Sequence, residues 1–149
     1  MSRQSSAGLG QPSPTAVKST AAIVGVLSLG VLVQAVTSGV FVRESHRDGW
    51  INAHAGVAYV VALLALAAFV VALAKWRGKV GAPVVIAETA ALLVAVVIQI
   101  GIGQQIGDLG KSGTHPGLLA IHIPLALIIF GLALHLSTFV ANVRRGGRP

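Results

Sequence analysis

Two histidines and two glutamines occupy corresponding places in the two halves of the chain. Gln34 precedes His54 by 20 residues, and Gln99 precedes His122 by 23. In each half the glutamine lies late in one apolar stretch and the histidine lies early in the next. Two imidazoles can fill both axial positions of a b-type heme iron, because the porphyrin supplies the other four nitrogens. They are a poor zinc site, which takes three or four protein ligands.

Four apolar stretches must position these side chains. They span residues 19–42, 49–74, 80–107 and 113–142. A helix needs about 20 apolar residues to cross a bilayer, and the chain is 54% hydrophobic and only 10% charged, with a mean hydropathy of +0.83. The connections are short, which favours neighbours that run in opposite directions. The sequence therefore predicts an all-α integral membrane protein, an antiparallel four-helix bundle built from two helical hairpins over residues 18–143.

The basic residues predict the orientation of this bundle. Residues 1–17, rich in Ser, Gly, Pro and Gln, are expected to form a disordered tail, and residues 144–149 a basic one. Eight of the eleven basic residues fall at the two tails and the middle connection: Arg3, Lys18, Lys75, Arg77, Lys79, Arg144, Arg145 and Arg148. The excess of Lys and Arg on one side predicts that both termini are cytoplasmic, in the cell inner (plasma) membrane.

The four polar side chains are expected to share one layer of the outer half of the bundle. At 1.5 Å per residue, Gln34 lies about 12 Å inside its helix and His54 about 8 Å inside the next. His122 lies about 9 Å beyond Pro116, a residue suited to the first helical turn. Matched depth on helices 2 and 4 predicts that His54 and His122 hold one metal centre, with Gln34 and Gln99 as hydrogen-bond donors around it.

The surroundings of this layer favour the same interpretation. Small residues could admit a macrocycle between the helices: Ala53, Gly56, Gly39, Gly101 and Gly103. Arg43 and Arg47 are expected near the heme propionates. His115, seven residues before His122 and on the same helix face, is the rival ligand. The structural alternative is that the polar side chains only hydrogen-bond between helices.

Glu88 and His135 form a separate pair at the other end of the bundle. Both are expected at one level near the cytoplasmic side, where a mutual hydrogen bond or ion pair would neutralise a buried polar group. The functional alternative is part of a proton or quinol path. No other His lies on helix 2 beyond position 54, so a second bis-histidine heme is not expected.

With His early in helices 2 and 4, the chain resembles one half of heme A synthase. It is also similar to uncharacterised four-helix bacterial membrane proteins, and more loosely to other small b-type membrane cytochromes. The resemblance covers about residues 20–142 and implies that His54 and His122 are axial ligands. Heme A synthase carries a catalytic Glu three residues before its helix 2 histidine, and this chain has Ile51 there. The difference argues against porphyrin methyl hydroxylation and leaves heme binding as the expectation.

The sequence thus predicts a membrane protein with one heme b, for electron transfer or heme handling, with the lipid bilayer and a redox partner or larger complex as partners. The alternative is a cofactor-free accessory subunit or assembly factor of such a complex. A small transporter or channel is a third hypothesis. The absence of cysteine excludes disulfides, iron–sulfur clusters and covalent heme attachment. The net charge of +7 comes from basic residues clustered at helix ends. It is therefore explained by membrane orientation and anionic lipid headgroups rather than by nucleic-acid binding.

Overall fold

Four long helices account for nearly all of the described chain. The computed structural model describes residues 9–43, 48–109 and 116–145. The helices are α1 (Pro14–Arg43), α2 (Asp48–Lys75), α3 (Ala82–Leu109) and α4 (Pro116–Arg144). Within these ranges no strand is present beyond an isolated bridge between Gly10 and Lys79. Each helix is long and apolar enough to cross a membrane, so the predicted all-α class and number of helices are confirmed.

Helix α1 begins earlier than the sequence predicted. Its first turn is capped by Ser13, whose Oγ accepts a hydrogen bond from the backbone N–H of Ala16 at 3.1 Å. Pro14 occupies the first helical position, where a missing N–H costs nothing. Ala16 and Val17 are buried. The last four residues of the segment 1–17, expected to be a disordered tail, are therefore helical, because a cap and an apolar face extend the helix into them.

The helices close into a ring in chain order. Helix α1 packs against α2 and α4, and α3 packs against the same two helices. Among the described residues there is no backbone contact between α1 and α3 or between α2 and α4. Helices α2 and α4, which carry His54 and His122, therefore face each other diagonally across the bundle.

The buried side chains form one seam along each helix. On α2 the seam is Val61, Ala65, Ala68 and Ala72, and the other helices repeat the same alternation of three and four residues. This spacing is typical of coiled-coil packing, in which each side chain enters a hole on the neighbouring helices. The alanines of α2 allow close approach, because small residues bring helix backbones together.

The seam is fully buried at only one end of the bundle, which we call the Trp76 end. Trp76 is completely buried there, and its indole Nε1–H donates to Thr20 Oγ1 at 3.0 Å. Toward the opposite end, called here the histidine end, the buried seam stops at Ser28 on α1, Val61 on α2, Val96 on α3 and Ile129 on α4. Among the described residues only Thr37 is buried beyond these points. The core is therefore tight at the Trp76 end and looser at the histidine end, called open below, where the described apolar side chains are only partly buried.

Candidate functional site

In the first hairpin, Gln34 of α1 and His54 of α2 are directly joined. The Gln34 Nε2 donates to the backbone carbonyl of His54 at 2.8 Å. The imidazole turns back toward α1, with Nδ1 3.2 Å from the Gln34 carbonyl oxygen and 3.1 Å from Thr37 Oγ1. Two helices are thus tied together through both the backbone and the ring of one histidine.

These contacts define which nitrogen of His54 carries the proton. A carbonyl oxygen can only accept, so the contact with the Gln34 carbonyl requires a proton on Nδ1. The Thr37 hydroxyl donates to the carbonyls of Val33 and Gln34, at 3.0 and 3.1 Å, and its oxygen can therefore accept from the same ring N–H. The neutral ring then carries its lone pair on Nε2. Metal-ligating histidines are commonly oriented in this way, by donating their other ring N–H to a carbonyl.

The second hairpin repeats the main contact of the first. The Gln99 Nε2 of α3 donates to the backbone carbonyl of His122 of α4 at 2.9 Å. The His122 ring lies against Gly103, where a Cβ would come within 3.2 Å of the ring Cε1. Within the described residues the buried atoms His122 Nδ1 and Gln99 Oε1 have no hydrogen-bond partner. The backbone contact is therefore shared by the two halves, whereas the environment of the ring is not.

All four polar residues continue the buried seams of their helices. His54 and His122 lie one heptad before Val61 and Ile129, and Gln34 and Gln99 lie one heptad after Leu27 and Leu92. A seven-residue step returns to nearly the same helix face. The four side chains therefore point toward the axis of the bundle at its open end.

Three of the glycines predicted to line a cofactor space have no close described neighbour. A Cβ added at Gly39, Gly56 or Gly101 would meet no described atom within 4 Å. His54, His122, Gln34 and Gln99 are all partly exposed. Of the glycines predicted to line a cofactor space, only Gly103 contacts one of the histidines.

His54 and His122 provide two ligands, fewer than the three or four that a protein zinc site uses. Among the described residues no group of three or more His, Cys, Asp or Glu side chains could hold a metal ion. A porphyrin removes the need for further protein ligands, and the two imidazoles come from inward faces of diagonal helices. His54 and His122 are the residues that would hold the iron.

The other predicted site residues have different outcomes. Gln34 and Gln99, expected to donate to an imidazole or a propionate, instead donate to the backbone carbonyls of the two histidines. Arg43 is the last residue of α1. Its side chain, and the whole of Arg47 and His115, lie outside the described residues.

Glu88 and His135 form the expected pair away from this layer. The His135 Nδ1 lies 2.7 Å from Glu88 Oε1, so the mutual contact predicted for these residues is confirmed. The His135 side chain is 62% exposed and the Glu88 side chain 17%. Neither residue belongs to a buried seam, so the pair lies on the flank of the bundle between α3 and α4 and not in its axis.

Sequence reasoning missed Thr37, which contacts the His54 ring. Thr37 lies three residues after Gln34 and therefore on the same side of α1, so helical spacing could have identified it. It also missed the buried bond between Thr20 and Trp76, which joins residues 56 positions apart. No local pattern indicates such a contact.

Comparison with known proteins places the chain in no established group. It matches no protein-family model, no curated protein and no solved structure. The similarity to one half of heme A synthase remains a prediction.

Proposed function

We propose that the chain is an integral membrane protein that holds one heme b between His54 and His122. In this proposal the four helices form an antiparallel transmembrane bundle, with both termini and the Trp76 end on the cytoplasmic side of the inner (plasma) membrane. The observation that supports it best is the repeated contact of Gln34 with His54 and of Gln99 with His122. This repeat brings one imidazole from each half to an inward seam of the open end.

A bound heme would supply one-electron chemistry between ferric and ferrous iron. Held by His54 and His122, such a heme would suit electron transfer or heme handling. The chain's own residues orient the ligands: Thr37 and the Gln34 carbonyl hold the His54 ring, and Gly103 leaves room for the His122 ring. We assign the propionate end of the heme to Arg43 and Arg47, from their positions in the sequence.

The alternative is a cofactor-free accessory subunit or assembly factor of a larger membrane complex. One observation favours it: both glutamines already bond across helices to backbone carbonyls. Glutamine side chains can stabilise a membrane bundle in this way with no cofactor present.

An absorption spectrum of the purified full-length protein separates the two functions. We expect a sharp Soret band and split visible bands on reduction, and we expect both to disappear in His54→Ala and in His122→Ala. His135→Gln is the matched control, because it changes a histidine outside the layer and keeps a donor for Glu88. It should keep the spectrum.

Two results would contradict the proposal. If folded wild-type protein takes up no heme, even when heme is added to it, the heme proposal is wrong and the accessory-subunit function is favoured. If the spectrum is lost in His115→Ala but kept in His122→Ala, the chain is still a heme protein, but His115 and not His122 is the second ligand.

A further inference from the structure

A basic groove runs between the first turns of α1 and the last turns of α4. Its first part is a cavity of about 540 Å³ bounded by Gln11, Pro12 and Pro14 on one side and by Val143 on the other. Its second part, about 470 Å³, continues along Ala21, Val140 and Ala141. Lys18 and Arg144 line both parts and Arg145 lines the second. Three cationic side chains therefore open into one groove.

The described residues provide no counter-charge for these cations. The one ion pair within the described ranges joins His135 to Glu88, away from the groove. No acidic side chain lines either part of the groove. Lys18, Arg144 and Arg145 are exposed, so their charges are available to an anion from outside the chain.

The segment before α1 forms one wall of the groove and is itself held in place by a backbone hydrogen bond. The Gly10 carbonyl accepts a hydrogen bond from the Val80 N–H at 3.0 Å, which ties this segment to the connection between α2 and α3. Gln11 and Pro12 follow directly and form the rim beside Lys18. The groove is thus built by three separate parts of the chain and is more than a row of surface charges.

The groove combines a charged head with an apolar floor. Lys18 and Arg144 lie near the ends of the two apolar helices, where the headgroups of a bilayer would lie if the helices cross it. Ala21, Val140 and Ala141 extend the floor toward the middle of the helices. An anionic headgroup followed by an acyl chain matches this order of charge and apolar surface.

We propose that this groove binds one anionic phospholipid, with its phosphate on Lys18, Arg144 and Arg145 and an acyl chain along Ala21 and Val140. The proposal rests on the membrane insertion proposed above and not on the heme. The lipid would join α1 to α4, the first and last helices of the ring. The heme spectrum of the same samples tests the other proposal separately.

Native mass spectrometry of the full-length protein in detergent tests the site. Phosphatidylglycerol should add as a single resolved adduct at concentrations where phosphatidylcholine does not. The double variant Lys18→Gln, Arg144→Gln should weaken this adduct roughly 10- to 100-fold. The control double variant Lys75→Gln, Arg77→Gln should stay within about threefold of wild type, since it removes equal charge at the same end of the bundle but outside the groove.

A second pair of variants tests the groove without changing charge. Ala21→Trp should fill the apolar floor and remove the adduct, whereas Ala22→Trp, also exposed on α1 but outside the groove lining, should keep it. Far-UV circular dichroism of each variant checks that it is folded.

Three outcomes would overturn the proposal. The first is an equal loss in both double variants, which would mean diffuse attraction. The second is full displacement of the lipid by glycerol phosphate at equal concentration, which would mean an anion site without an acyl chain. The third is the absence of any adduct on folded wild-type protein.

Discussion

Gly30 lies where α1 packs closely against α2 beside the candidate site. A Cβ at this position would lie 2.7 Å from Val61 Cγ2. Ordinary contact between carbon atoms is about 3.5–4.0 Å, so one of the two groups must move by roughly 1 Å. Gly30 precedes Gln34 by one turn of α1, and Val61 follows His54 by two turns of α2. The contact therefore helps to set the distance over which Gln34 reaches the His54 carbonyl.

The prediction is that Gly30→Ala is less stable than Gly25→Ala. Alanine stabilises the middle of a helix by about 0.5–1 kcal/mol relative to glycine, and this gain applies to both variants. A Cβ at Gly25 would meet no described atom within 4 Å. The difference in unfolding free energy between the two variants therefore isolates the clash, and overpacking of this kind costs about 1–3 kcal/mol.

Unfolding in mixed micelles, followed by the loss of helical circular dichroism, measures this difference. The same measurement in a Val61→Ala background provides an internal control, because that change removes the atom which the new Cβ would meet. There the two alanine variants should be nearly equally stable. The reasoning fails if Gly30→Ala is as stable as Gly25→Ala in the wild-type background, or if the difference persists when Val61 is alanine.

Two further predictions concern polar contacts that only packing brings together. Thr20→Val should lower the unfolding free energy by about 1–3 kcal/mol, since it leaves the buried Trp76 indole N–H without its acceptor. The loss should shrink in a Trp76→Phe background, and an equal loss in both backgrounds would contradict the bond. His135→Leu should destabilise the protein more than the double change Glu88→Leu, His135→Leu, because the single change strands a largely buried carboxyl group. The same unfolding assay compares them, and a double variant less stable than His135→Leu would contradict this account.

The sequence by itself was sufficient for the four helices. Long apolar stretches leave a chain few alternatives to helices, because backbone polar groups that lose water must bond within their own segment. That Gln34, His54, Gln99 and His122 each share a helix face with an apolar residue seven positions away could also be read from spacing, but which face of each helix is buried could not. The start of α1 at Pro14 was missed, although its signals, a Ser–Pro cap and an apolar first turn, are local.

Tertiary structure alone decided what these side chains contact. The depth of each glutamine was predictable, but its choice of a histidine carbonyl over an imidazole depends on how closely two helices approach. The difference between the rings of His54 and His122 likewise arises because Thr37 faces one of them and Gly103 the other. The tight Trp76 end and the open histidine end also follow from packing, because every one of the four helices is apolar enough to cross a membrane whichever end it closes. The apolar composition determines that the four helices pack together. The shapes of the facing side chains determine where along a seam they are fully buried and where they are not.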